Sequence, residues 1–211
     1  MRKLTIVLTL LCALPVMAAT QANAKGKGKG KKPVSSTPRD YANTLATLQT
    51  DAGDVTIHFF HDKAPKHVEN FVDLAAKGFY DNTFFHRVIP GFMIQGGDPN
   101  TKGPEDATHR FGTGGNVVNG KENRLKSEFN DTSHKRGIVS MARSADPNSA
   151  SSQFFIVVKD STFLDGQYTA FGEVVSGMDV VDKIVSAPRN SSDLPNQPTR
   201  IKKILLTQAK G

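Results

Sequence analysis

Cysteine occurs once in the 211 residues, at Cys12, and tryptophan not at all. Cys12 lies within an apolar stretch, Leu4 to Ala19, which Arg2 and Lys3 precede and the A-x-A pattern Ala22-Asn23-Ala24 follows. This layout predicts a secretory signal peptide over residues 1–24, because the stretch is short for a bilayer span and Pro15 and Thr20 interrupt its end. Cleavage after Ala18 is the alternative. Cys12 sits inside the stretch and not at its end, which argues against a lipoprotein site. Loss of the leader removes the only cysteine, so the mature chain is expected to be free of disulfides and to depend on its core. The loss also takes two of the 27 basic groups, Arg2 and Lys3, and lowers the formal charge from +7 to +5. No second apolar segment is long enough to cross a membrane, and no internal repeat is present. The six histidines (His58, His61, His67, His86, His109 and His134) have no zinc-site spacing, so no metal is expected.

What is present is one domain's length of chain behind a basic tail. Lys25 to Pro38 alternates lysine with glycine and then carries Pro33, Ser35, Ser36 and Pro38. Without an apolar face it cannot offset the entropy of ordering, so residues 25–43 read as a disordered tail. Contact with an anionic lipid, cell-wall polymer or nucleic acid is one reading of that tail; a solvated spacer is the other, and no nucleic-acid partner is expected of an exported chain. The domain then spans residues 44–211. Leu45 to Thr50, a turn at Asp51 to Asp54, and Val55 to Phe60 predict a hairpin. Pro65 opens a helix with Val68, Phe71, Val72 and Ala75 on one face and Gly78 as its stop. Short strands are expected around Phe84, Met93, Ile138 and Phe155 and over Ala170 to Val174. A second helix is expected over Met178 to Ser186, and a closing strand over Ile201 to Thr207. Many short strands with two helices imply an all-β barrel or sandwich capped by helices, between which periodicity does not choose.

The chemistry concentrates in Phe84-Phe85-His86-Arg87-Val88-Ile89-Pro90-Gly91-Phe92-Met93-Ile94-Gln95-Gly96-Gly97-Asp98. A cation, large apolar side chains and an amide fall at strand-like spacing around the turn Pro90-Gly91. That combination describes an apolar slot with hydrogen-bonding groups at its rim, without a nucleophile. A core strand with one snorkelling arginine is the plainer reading. Further on come Ser140-Met141-Ala142-Arg143-Ser144, Ser151-Ser152-Gln153-Phe154-Phe155-Ile156-Val157, Phe163-Leu164-Asp165-Gly166 and Ala170-Phe171-Gly172-Glu173-Val174-Val175. The glycine-rich Phe111-Gly112-Thr113-Gly114-Gly115 lies between. No Lys-Ser/Thr follows it, so it reads as a loop that approaches a peptide closely and not as a phosphate cradle. In this order the blocks resemble those of the cyclophilins, the peptidyl-prolyl cis-trans isomerases, over about Leu45 to Leu206, and most resemble the bacterial exported members.

The resemblance implies a closed eight-stranded antiparallel β-barrel with a helix over each end. It implies Arg87 as catalytic arginine with Gln95 beside it, and a proline pocket of Phe92, Met93, Phe155 and Leu164 edged by Phe163 and Tyr168. Gly112, Ala142, Arg143, Ser144 and Gln153 would line the peptide groove. Phe163 stands where the best-known eukaryotic members have a tryptophan whose indole N–H serves cyclosporin, Tyr168 where they have a histidine, and Arg143 where they have an asparagine. Weak binding of the drug is therefore implied. Rotation about an X-Pro bond faces roughly 18–20 kcal/mol because amide resonance must be lost. A guanidinium, always protonated, can hydrogen-bond to the prolyl nitrogen as it pyramidalises. No cofactor is required. The expected activity is isomerisation of X-Pro bonds by a periplasmic or extracellular monomer, with proline-containing unfolded or extended polypeptides as partners and the folding of exported proteins as its purpose. A non-catalytic proline-peptide binder and a barrel that merely carries the basic tail are the rival readings.

Overall fold

The computed structural model describes residues 40–103 and 110–209. The expected leader and most of the basic tail lie outside them. The hairpin forms as Thr44–Thr50 (β1) and Asp54–Phe59 (β2), in antiparallel register from Leu45 opposite His58 to Gln49 opposite Asp54. Helix α1 covers Pro65–Ala76 and buries Val68, Phe71, Val72 and Ala75, the stripe its periodicity announces. Strands Thr83–Phe84 (β3), Arg87–Ile89 (β4) and Met93–Gly96 (β5) follow. A small hairpin, Val117–Val118 (β6) and Lys121–Glu122 (β7), comes next, and then Ile138–Met141 (β8), Phe154–Val157 (β9) and Ala170–Ser176 (β10). Helix α2, Met178–Val185, and strand Arg200–Gln208 (β11) complete the chain. Among the described residues no helix is long and apolar enough to cross a membrane.

Nine strands form one antiparallel sheet in the order β3-β11-β1-β2-β10-β8-β9-β5-β4. The count is nine and not the eight expected, and Thr83–Ile89 contributes two of the nine, β3 at one end of the sheet and β4 at the other. These two ends of the sheet are separated in the chain by Phe85 and His86 alone. The Phe85 N–H donates to Thr199 O at 3.1 Å and the His86 N–H to Gln95 O at 3.1 Å, so each residue bonds toward a different end. The sheet is therefore strongly curled.

Its concave side holds the main core. Phe71 from α1 lies with its ring 5.5 Å from Phe59, 4.9 Å from Tyr80, 5.3 Å from Phe154 and 5.5 Å from Phe171. Aromatic packing at these separations adds to the burial of the rings themselves. On β9 alternate residues divide between two clusters: Phe154 and Ile156 join the main core, while Phe155 and Val157 join a smaller one on the convex face with Met93, Ile138, Leu164 and Ala170. A strand covered on both faces reads as a continuous apolar run, which is what Phe-Phe-Ile-Val is. Tyr41, within the expected tail, stacks on His61 with ring centroids 5.6 Å apart and donates to Asp73 Oδ1 at 3.1 Å.

Candidate active site

The smaller cluster floors a depression on the convex face. Strand register sets its central row: Arg87 on β4 is opposite Gln95 on β5, Gln95 opposite Phe155 on β9, and Phe155 opposite Ser140 on β8. Side chains at paired positions share a face, so the pairing carries Arg87, Gln95 and Phe155 side by side. A cavity of about 230 Å³ is lined by Arg87, Phe92, Met93, Gln95, Ala142, Arg143, Phe155, Leu164 and Tyr168. Tyr168 meets Phe155 edge to face at 5.7 Å. A second cavity of about 340 Å³ is lined by Gly112, Ser144 and Gln153 and shares Gln95, Ala142 and Arg143 with the first. The two together contain every residue the sequence nominates except Phe163. That side chain is 65% exposed on the turn Thr162–Leu164 and packs at 5.5 Å against the Phe92 ring. Successive residues of a 3₁₀ turn point about a third of a circle apart, so burying Leu164 sends Phe163 outward.

Gln95 is oriented by a relay. Gly114 O can only accept, so Gln153 turns its Nε2 to it at 2.8 Å and offers its Oε1 to Gln95 Nε2 at 2.9 Å. The Oε1 of Gln95 and its second amide hydrogen are left for the cavity. The acceptor loop is pinned by Asp98, buried, whose Oδ2 accepts from the Gly112 N–H and whose Oδ1 accepts from Asn100 N at 2.8 Å. A Cβ at Gly114 would collide with the Asp98 carboxylate, which makes that glycine obligatory. Arg143 is held by bonds from Nε to Gln167 O at 3.0 Å and from Nη1 to Ser144 O at 2.8 Å, with its guanidinium carbon 4.5 Å from the Tyr168 ring centroid. It lines both cavities, as Gln95 and Ala142 do.

Arg87 is 45% exposed, and its Nε lies 3.6 Å from Asp193 Oδ2. His86, next to it, is buried, and burial holds its pKa below the ordinary imidazole range, leaving the ring neutral at pH 7. Sequence reasoning passed over Asp98 and Asp193, and also Glu122 and Arg124, which line the larger cavity beside Ser144 and Gln153. Asp98 closes the most informative run and could have been found there. Asp193 lies in a loop with no periodicity, and Glu122 and Arg124 in a segment of polar residues. Among the described residues no group of histidine, cysteine or acidic side chains could hold a metal ion.

The site can hold an apolar ring and present it with a fixed guanidinium and an oriented amide. Known proteins carry the same arrangement of chain. Residues 45–205 match the model of the family described as cyclophilin type peptidyl-prolyl cis-trans isomerase/CLD. A peptidyl-prolyl cis-trans isomerase of Acinetobacter baylyi is 40% identical over 170 residues, 76% of this chain and 84% of that one. Peptidyl-prolyl cis-trans isomerase B of Escherichia coli is 41% identical over 176 residues, 78% of this chain and all of its own. The crystal structure of a Cryptosporidium parvum cyclophilin type isomerase in the presence of the dipeptide Ala-Pro superposes with a TM-score of 0.68 at 33% identity, covering 78% of this chain and 99% of that one. Matched from its first strand to its last, the chain belongs to the cyclophilin-type peptidyl-prolyl cis-trans isomerases.

Proposed function

We propose that the chain isomerises X-Pro bonds in exported polypeptides, with Arg87 as the catalytic group and the cavity of Phe92, Met93, Phe155 and Leu164 as the seat of the proline ring. The observation that carries this reading is the cross-strand row of Arg87, Gln95 and Phe155 beside that cavity. The ring is anchored on the apolar floor while the rest of the peptide turns. As the prolyl nitrogen loses conjugation it becomes an acceptor, and the Arg87 guanidinium, a cation at every relevant pH, donates to it. Gln95 holds the carbonyl side through the amide hydrogen that its bond to Gln153 leaves over. The donor is stronger toward the twisted amide than toward the planar one, so binding energy falls on the transition state. The presence of Ala-Pro with the Cryptosporidium structure supports a proline-containing peptide as ligand.

Export rests on Arg2-Lys3, the stretch Leu4 to Ala19 and the Ala22-Asn23-Ala24 pattern. The periplasm as destination rests on the likeness of the sequence blocks to bacterial exported members alone, and we read the released chain as a monomer. We also read the sheet as the family's closed eight-stranded barrel, with β3 and β4 counted as one strand interrupted at Phe85-His86. The decisive experiment is isomerisation of a short proline peptide by Arg87→Ala. Loss of one donor to developing charge lowers kcat/KM by about 10²–10³-fold, and the exposed side chain leaves the fold intact. A near wild-type rate removes Arg87 from the mechanism.

A further inference from the structure

We infer that Asp193 is a positioning residue for Arg87, a role that rests on Arg87 being the donor proposed above. Strand β4 is three residues long and lies at an end of the sheet, so little on its own element restrains a long, half-exposed side chain. Asp193 supplies restraint twice. Its carbonyl accepts from Val88 N at 2.9 Å, fixing the backbone beside Arg87, and its Oδ2 lies 3.6 Å from Arg87 Nε. With the Nε edge facing Asp193, the Nη edge of the guanidinium is the one left for the cavity. The other oxygen, Oδ1, accepts from Arg189 Nε at 3.1 Å, which turns the carboxylate so that Oδ2 faces Arg87.

The loop is built for this placement. Asp193 adopts φ 61°, a left-handed conformation that costs a non-glycine residue energy and marks functional positions when it persists. Asn190 enforces it: its Oδ1 accepts from Ser192 N at 2.9 Å and Leu194 N at 3.1 Å, and its carbonyl accepts from Asp193 N at 3.1 Å. A neighbouring carboxylate also dilutes the positive field of Arg87. Orientation outweighs that dilution, because the guanidinium keeps its charge whatever its partner, and a donor misplaced by an ångström forfeits much of its effect.

The test is a double-mutant cycle in the short-peptide assay, using Asp193→Asn, which tolerates the left-handed backbone, with Asp193→Ser as a second variant. In the Arg87 background kcat/KM falls about five- to tenfold, carried by kcat with KM nearly unchanged. In the Arg87→Ala background the same substitutions change it less than twofold. Arg189→Ala gives a smaller loss of the same kind, and melting temperatures hold because exposed ion pairs contribute little stability. Equal losses in both backgrounds reduce Asp193 to a structural residue and overturn the inference, as does no loss in either. If Arg87→Ala itself retains the wild-type rate, the catalytic reading falls; if only Asp193→Asn is silent, the positioning role falls alone.

Discussion

Removing the carboxylate of Glu128 should unfasten helix α1, although Glu128 is about sixty residues away from it in the chain. The N-cap residue of α1, Ala64, offers no side-chain acceptor. Glu128 supplies what is missing: Oε1 accepts from Lys66 N at 3.1 Å and Oε2 from His67 N at 3.0 Å, and Oε2 also meets His67 Nδ1 at 2.6 Å. Glu128→Ala loses an N-cap, worth about 1 kcal/mol. It also loses a negative charge at the positive end of the helix dipole, worth about 0.3–1 kcal/mol. The buried Nδ1–H of His67 is left without a partner, at about 1–3 kcal/mol. Together these give a destabilisation of about 3 kcal/mol, or roughly 6–12 °C in melting temperature for a domain of this size. Glu128→Gln, which keeps one acceptor oxygen, should lose about half as much. The main-chain bond from Glu128 N to Thr169 Oγ1 survives either change, so the isomerase rate per folded molecule stays within about twofold of wild type at 15 °C. A melting temperature for Glu128→Ala within 2 °C of wild type would refute the capping argument.

How far the fold and the site were legible in the sequence depended on the range of the forces involved. The hairpin β1–β2 and helix α1 follow from local periodicity and turn chemistry, and both appear within a residue or two of where Leu45, Gly53, Pro65 and Gly78 put them. The small hairpin β6–β7 was passed over although Asn119 and Gly120, at φ 51° and 75°, are its turn signal. Its strands are two residues each and exposed, so hydrophobic alternation had nothing to register. The convex-face cluster was legible for another reason. Arg87, Gln95 and Phe155 lie in runs dense enough to resemble a known family, and register alone brings them into a row. Asp193 and Glu128 act across long sequence separations through single carboxylates, and no local pattern marks either. Phe163 shows the converse limit: its position in the sequence puts it at the pocket's edge, and only the geometry of one 3₁₀ turn shows how far the ring, packed on Phe92, stands open to solvent.

Stability should depend on pH through two buried histidines. Burial lowers the pKa of His67 and of His86 below the ordinary value of 6.5, so near and below that pH the unfolded chain binds more protons than the folded one. Their contribution is therefore complete above about pH 7 and is lost on acidification, at up to about 1.4 kcal/mol per pH unit for each group. Urea unfolding at pH 7.5, 6.5 and 5.5 measures it, and a midpoint unchanged across that range would rule it out. Phe163→Trp should tighten cyclosporin binding by about one to two powers of ten while leaving proline-peptide turnover nearly unchanged. A phenylalanine ring has no donor, so a drug acceptor buried against it stays unpaired, at a cost of about 1–3 kcal/mol, and an indole N–H removes that cost. Turnover is spared because Phe163 lines neither cavity and meets the site at the Phe92 ring, 5.5 Å away. Because the side chain is already exposed, the larger ring enters without displacing core residues, so any change in affinity reports the donor and not a repacked pocket. Calorimetric titration of the two proteins decides it. If the dissociation constants agree within a factor of two, a donor at this position does not govern the drug's affinity, and Arg143 over Tyr168 becomes the group to replace.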